Sequence, residues 1–79
     1  MALTADKIRS FLSGLGINAA EVGDETLLFS SGLLDSFTMV ELIGVIEAAT
    51  GKRVPASQVT LTNFDSVERI LRAFGKENQ

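Results

Sequence analysis

One stretch, from Asp35 to Gly51, most restricts what this chain can fold into. It holds no proline and one internal glycine, Gly44. It opens on Asp35 and Ser36, each a residue type that caps a helix, and it stops at Gly51. Projected at about 100° per residue, Met39, Leu42, Ile43, Ile46 and Thr50 fall within one arc of roughly 100°, with Val40 at its margin. That arc is expected to face a core. Phe37, Thr38, Glu41, Val45 and Ala48 fall on the other side. Lys52 and Arg53 lie just past the end, where positive charge suits the helix dipole.

The rest of the chain must supply partners for this helix. Thr4 reads as an N-cap with Asp6 in the first turn, and Leu3, Ile8, Phe11, Leu12 and Leu15 recur at helical spacing. A first helix is expected from about residue 5 to Gly14, with Gly14 and Gly16 to end it. Between Ile17 and Asp35 turn residues alternate with apolar ones such as Val22, Leu28 and Leu34. A connection of that length belongs in a compact domain only if its apolar side chains dock on the core, so a packed loop is expected. After Pro55, the segment Ala56 to Val59 has room for a helical turn, a short third helix with Val59 and Leu61 pointing inward. Asp65 with Glu68 reads as a capping box, and Val67, Ile70, Leu71 and Phe74 form a last apolar stripe ended by Gly75. The polar residues beyond Gly75 are expected to fray.

No strand-like alternation persists and no repeat is visible. The expected fold is all-α: a small four-helix bundle of three main helices and a short third, with a long packed loop between the first and second helices. Seventy-nine residues are too few for two cores, so residues 1–79 are read as a single domain, ordered over about 3–75.

Composition removes several kinds of function. The chain has no cysteine and no histidine, so disulfides, thiolate sites and the usual zinc and iron ligand sets are excluded. The commonest general base and the strongest common nucleophile are missing with them, which argues against an enzyme. Seven Lys plus Arg against ten Asp plus Glu give a net charge of −3, with the basic residues scattered, so nucleic acid is not an expected partner. No apolar run approaches the roughly 18 residues of a membrane span, and the N-terminus lacks the pattern of a secretory signal. A cytoplasmic monomer is expected.

The polar pair that stands apart is Asp35-Ser36, set between Gly32-Leu33-Leu34 and Phe37 where the long loop enters the strongest helix. Spacing alone allows both residues to be simple caps. It equally allows a functional role, because a helix N-terminus offers unpaired N–H groups and positive potential to an anionic group attached to Ser36.

Leu33-Leu34-Asp35-Ser36-Phe37, followed by Val40-Glu41-Leu42 in the same helix and Val54-Pro55 after it, resembles the acyl carrier protein family. The resemblance runs from Ile8 to Phe74, with phenylalanine at the place after the serine where the family usually has leucine. It implies that a phosphopantetheinyl transferase moves 4′-phosphopantetheine from coenzyme A onto the Ser36 hydroxyl, and that the arm's thiol then carries an acyl or aminoacyl cargo as a thioester. By the same resemblance Asp35 belongs to the surface the transferase reads. The second helix would be the docking face, with Phe37, Glu41, Val45 and Glu47 as candidates. Sequence leaves open a loop that covers this face and makes Phe37 core.

Some residues depart from the family pattern. Thr38 follows the motif, Ala48-Ala49 sit near the helix end, Lys52-Arg53 come after it, and Ala56-Ser57-Gln58 follow Pro55, so the acidic surface is thin. Steering toward strongly basic enzymes is correspondingly weak. This favours a specialised free-standing carrier served by an AMP-forming acyl or aminoacyl ligase, or by synthase and acyltransferase enzymes. The alternatives are a housekeeping fatty-acid synthesis carrier and a carrier-like docking module without the arm. Small residues at the inner end of the helix (Gly44, Ala48, Ala49, Thr50) suit either closer helix packing or a differently shaped interior for an acyl chain.

Overall fold

Thr4 begins the first helix as the spacing requires: its hydroxyl accepts from the Lys7 N–H at 3.3 Å, satisfying one of the donors a helix start leaves open. A computed structural model describes residues 3–75, and all regular structure among them is helical. Helix α1 covers Ala5–Gly14, α2 Ser36–Thr50, α3 Leu61–Phe64 and α4 Val67–Phe74, with 3₁₀ turns at Ala19–Glu21 and Ala56–Gln58. Helix α1 packs on α2 and α4, and α3 on α4. The polar residues 76–79, expected as a frayed end, lie outside the described residues.

The core collects one or more residues from nearly every segment. Ile8 and Leu12 of α1, Leu28 of the connection, Leu42 and Ile46 of α2, Phe64 of α3, and Val67 and Ile70 of α4 are fully buried. Phe74 closes the far end of α4, its ring 5.2 Å from that of Phe64 at an interplanar angle of 58°, a tilted pairing that aromatic quadrupoles favour. Among the described residues, no buried side-chain polar atom lacks a hydrogen-bond partner. None of the described helices is long and apolar enough to cross a membrane.

Helix α2 starts and ends where its sequence indicates, with Asp35 as N-cap and Gly51 at a φ of 72°, a left-handed conformation that glycine adopts without strain. Its buried arc is rotated about 40° from the expected centre. Ala49 is buried with Leu42 and Ile46, Met39 and Ile43 are half-buried, and Val40 is 68% exposed. Hydrophobicity could not reveal this rotation, because α2 is apolar nearly all round. Helix α1 packs on α2, and its Asp6, Lys7, Ser10 and Phe11 face Val45, Ala48 and Ala49 across a groove. Thr50, half-buried, returns its hydroxyl to the Ile46 carbonyl at 2.8 Å, so a polar residue sits at the edge of the core without an unpaired donor.

Three expectations fail in the last third and in α1. The segment after Pro55 does form the expected helical turn, as a 3₁₀ turn, and a separate short α-helix follows from Leu61, capped by Thr60, whose hydroxyl accepts from the Asn63 N–H. Val59 is half-buried against the core, but Leu61 is 51% exposed, because the first residue of so short a helix faces out. The Asp65–Glu68 capping box does not form. Ser66 caps α4 by accepting from the Arg69 N–H at 3.1 Å, and Asp65 turns its carboxylate toward the long connection. Leu15, placed in the apolar stripe of α1, is 39% exposed beyond the end of that helix.

Candidate functional site

The site is the junction where the connection enters α2, and its geometry starts at Asp35. Extended backbone at Asp35 (φ −120°, ψ −178°) lets its carboxylate fold back over the first turn. One oxygen accepts from both the Thr38 N–H and the Thr38 hydroxyl, each at 2.9 Å. The Thr38 N–H and then its hydroxyl hold the Asp35 carboxyl below its ordinary value, so it is an anion at neutral pH. Asp35 is exposed.

Ser36, the first residue of α2, is exposed, and no hydrogen bond within the described residues engages its hydroxyl. An oxygen so placed is open to solvent. The free N–H groups and positive potential of the helix start suit a phosphodiester there, and Asp35, the nearest like charge, is committed to Thr38.

The candidate docking residues do not form one patch. At 100° per residue Val40, Ile43 and Glu47 stay within about 40° of Ser36, whereas Phe37, Glu41 and Val45 lie about 100° to 180° round the helix. Phe37 is 76% exposed, so the connection does not cover it. Glu41 is exposed one turn on, with exposed Val40 beside it. Val45 is half-buried and lines an open groove between α1 and α2, about 590 Å³ in volume, together with Phe11, Ala48 and Ala49 and with Asp6, Lys7 and Ser10 at its edge. Glu47 is half-buried and accepts from the Val54 N–H at 2.8 Å, a bond that ties the segment after α2 back to the helix.

Two features escaped sequence reasoning. Leu33 and Leu61 are exposed apolar residues outside α2, 42% and 51% accessible. The other is the anchoring of the connection. Asp65, 2% exposed, accepts from the N–H groups of Phe29 and Ser30 at 2.8 and 2.9 Å and from the Ser30 hydroxyl, while its own carbonyl receives the Leu28 N–H at 2.8 Å. Burial alone would raise this carboxyl. The Ser30 hydroxyl, the two N–H groups and the charge of Arg69 outweigh it and keep the group below its ordinary value. At the other end, Arg9 of α1 donates to the Val22 carbonyl and pairs with Asp24 at 2.6 Å, and the Asp24 carbonyl accepts the Glu68 N–H at 2.9 Å. The spacing of Asp65 and Glu68 matched a helix cap, and nothing local in the sequence marks a carboxylate that bonds residues 35 and 36 positions away.

A family model described as the phosphopantetheine attachment site matches residues 7–74. No curated protein and no solved structure matches the chain significantly.

Proposed function

The chain belongs to the phosphopantetheine-attachment family, the acyl carrier proteins, and from that premise we propose that Ser36 is the residue that bears the arm. Members of this family are non-catalytic carriers that hold 4′-phosphopantetheine covalently. The arm supplies a thiol on which cargo is held as a thioester. The observation that carries the Ser36 assignment is its exposed, unengaged hydroxyl on the first residue of α2, within the Asp-Ser motif.

In the attachment step Ser36 Oγ forms a new bond to the pantetheine-linked phosphorus of coenzyme A. The bond from that phosphorus to the nucleotide part breaks, and the hydroxyl proton passes to a base of the transferase. Asp35 contributes a fixed negative charge beside the acceptor oxygen, its direction set by the two hydrogen bonds donated by Thr38, and so serves the transferase as a recognition point. Phe37, Glu41 and Val45 offer partner enzymes a mixed face of one large apolar side chain, one carboxylate and a groove wall. Glu47 contributes more to the turn after α2 than to that face.

Carriers of this family work with phosphopantetheinyl transferases and with synthase or ligase enzymes. The thin acidic surface supports a specialised pathway, served by an AMP-forming acyl or aminoacyl ligase or by dedicated synthase and acyltransferase enzymes, over housekeeping fatty-acid synthesis. We place this carrier in the cytoplasm, with residues 1–79 acting as one carrier domain and as a monomer.

The test is incubation of the unmodified protein with coenzyme A, magnesium and a broad-specificity phosphopantetheinyl transferase. Intact mass should rise by one arm, peptide mapping should put it on Ser36, and Ser36→Ala should abolish the gain with helicity unchanged. No gain in the wild-type protein, or a gain that survives in Ser36→Ala, refutes the assignment.

A further inference from the structure

We propose that Asp65 is a positioning residue for arm transfer: from the corner between α3 and α4, its carboxylate holds the connection in the form that presents Ser36 to the transferase. The inference rests on Ser36 being the residue that bears the arm, and goes beyond it by assigning a role to a residue far from the motif.

Asp65 is itself firmly placed. Its N–H donates to the Leu61 carbonyl at 3.0 Å, and the neighbouring side chains of Phe64 and Val67 are fully buried. From this base it makes bonds to three consecutive residues of the connection: the Leu28 N–H to its carbonyl, the Phe29 and Ser30 N–H groups to one carboxylate oxygen, and the Ser30 hydroxyl to the other. The anchored residues in turn fix the chain up to α2. The Leu34 N–H returns to the Leu28 carbonyl at 2.8 Å, the Gly32 N–H to the Phe29 carbonyl at 3.1 Å, and Gly32 turns the chain at a φ of 84°. Leu34 is buried, and Asp35 and Ser36 come next. The carboxylate thus fixes Phe29 and Ser30, Phe29 passes that constraint to Gly32, and the adjacent Leu28, held by the Asp65 backbone carbonyl, receives the Leu34 N–H just ahead of α2.

A carboxylate that only stabilised the fold would affect every property of the protein alike. This one bonds Phe29 and Ser30, in the chain a few residues ahead of Ser36. Without the clasp the segment samples other arrangements, and only the fraction that keeps the native one binds productively. If that fraction falls to about a tenth, the apparent affinity of the transferase for the carrier falls about tenfold. The turnover step, which comes after binding, is unchanged.

The experiment measures arm transfer from coenzyme A, at saturating coenzyme A and varied carrier, for wild type, Asp65→Ala, Asp65→Asn and Ser30→Ala. Asp65→Ala should raise KM for the carrier about tenfold with little change in kcat. Asp65→Asn keeps an oxygen for the two N–H groups and should bring KM back to within about threefold of wild type. Amide exchange adds a second readout: in Asp65→Ala the Leu34 N–H, which does not touch Asp65, should lose protection while the α1 and α4 amides keep theirs. An unchanged KM in folded Asp65→Ala, or full Leu34 protection there, overturns the proposal. If Asp65→Ala does not fold, Ser30→Ala, which removes one bond at an exposed residue, should raise KM about twofold to threefold; no rise overturns the proposal equally. Wild-type protein that gains no arm on Ser36 refutes the site assignment instead, whereas wild-type loading at Ser36 with equal KM in the variants refutes only the role of Asp65.

Discussion

Leu27 and Leu28 are adjacent, chemically identical and opposite in environment, 44% exposed against fully buried, so truncating each in turn measures how far the connection belongs to the core. Leu28→Ala removes three carbons, worth about 2.4 kcal/mol at about 0.8 kcal/mol each. The unfilled space left behind brings the expected loss to about 3–5 kcal/mol. A chain of this length is stabilised by roughly 4–12 kcal/mol in total, so this one residue of a long connection carries a large share. Leu27→Ala, at a half-wet position, should cost no more than about 1 kcal/mol. Urea unfolding followed by circular dichroism reads the difference directly. With a slope of about 1 kcal/mol per M, Leu28→Ala should lower the midpoint by about 3 M, or leave the protein unfolded at the outset, and Leu27→Ala by about 1 M or less. Equal losses for the two, or a loss under about 1 kcal/mol for Leu28→Ala, would refute the reasoning that the connection is seated by its own side chains.

Phe37→Ala should change unfolding free energy by under about 0.5 kcal/mol, because the side chain is mostly in water, while weakening productive contact with the partner that loads the arm. Thermal melting checks the first part, and a loss above about 2 kcal/mol would mean that Phe37 packs as core. Acid should loosen the clasp. The folded Asp65 carboxyl lies below its unfolded value of about 3.9, so its contribution is present above that value and is lost as pH falls through the depressed folded one. Asp35, also lowered, titrates in both wild type and Asp65→Asn. Between pH 7 and pH 3 the urea midpoint of wild type should therefore fall more steeply than that of Asp65→Asn, and parallel curves would contradict the assignment of the charge.

Much of the fold was legible because the signals were local. Thr4 and Asp35 are caps followed by apolar residues at helical spacing, and both helices start there. The place of Ser36 at the start of α2 was legible for the same reason, as a polar residue that follows a cap. The failures have different physical origins. Val40, placed at the margin of the buried arc, is exposed because α2 is apolar on several faces and tertiary packing decides which of them is covered. Leu61 was drawn inward on hydrophobicity alone, although its place at the start of a one-turn helix leaves it exposed. Asp65 was misassigned because two adjacent residues, Asp65 and Ser66, both fit a cap. The choice between them was made by unpaired N–H groups on a segment far away in the chain.

That distant dependence bears on how the protein comes into being. Helices α1 and α2 need only neighbours a turn away to begin forming, and can do so while the ribosome is still at work. The seat for Phe29 and Ser30 does not exist until residue 65 has been synthesised, so the approach to Ser36 is finished late, by a contact of high sequence separation. The nascent chain would thus acquire the backbone of α1 and α2 before the approach to Ser36 is framed, so that, if Ser36 bears the arm as proposed, its recognition waits until residue 65 and its neighbours have emerged.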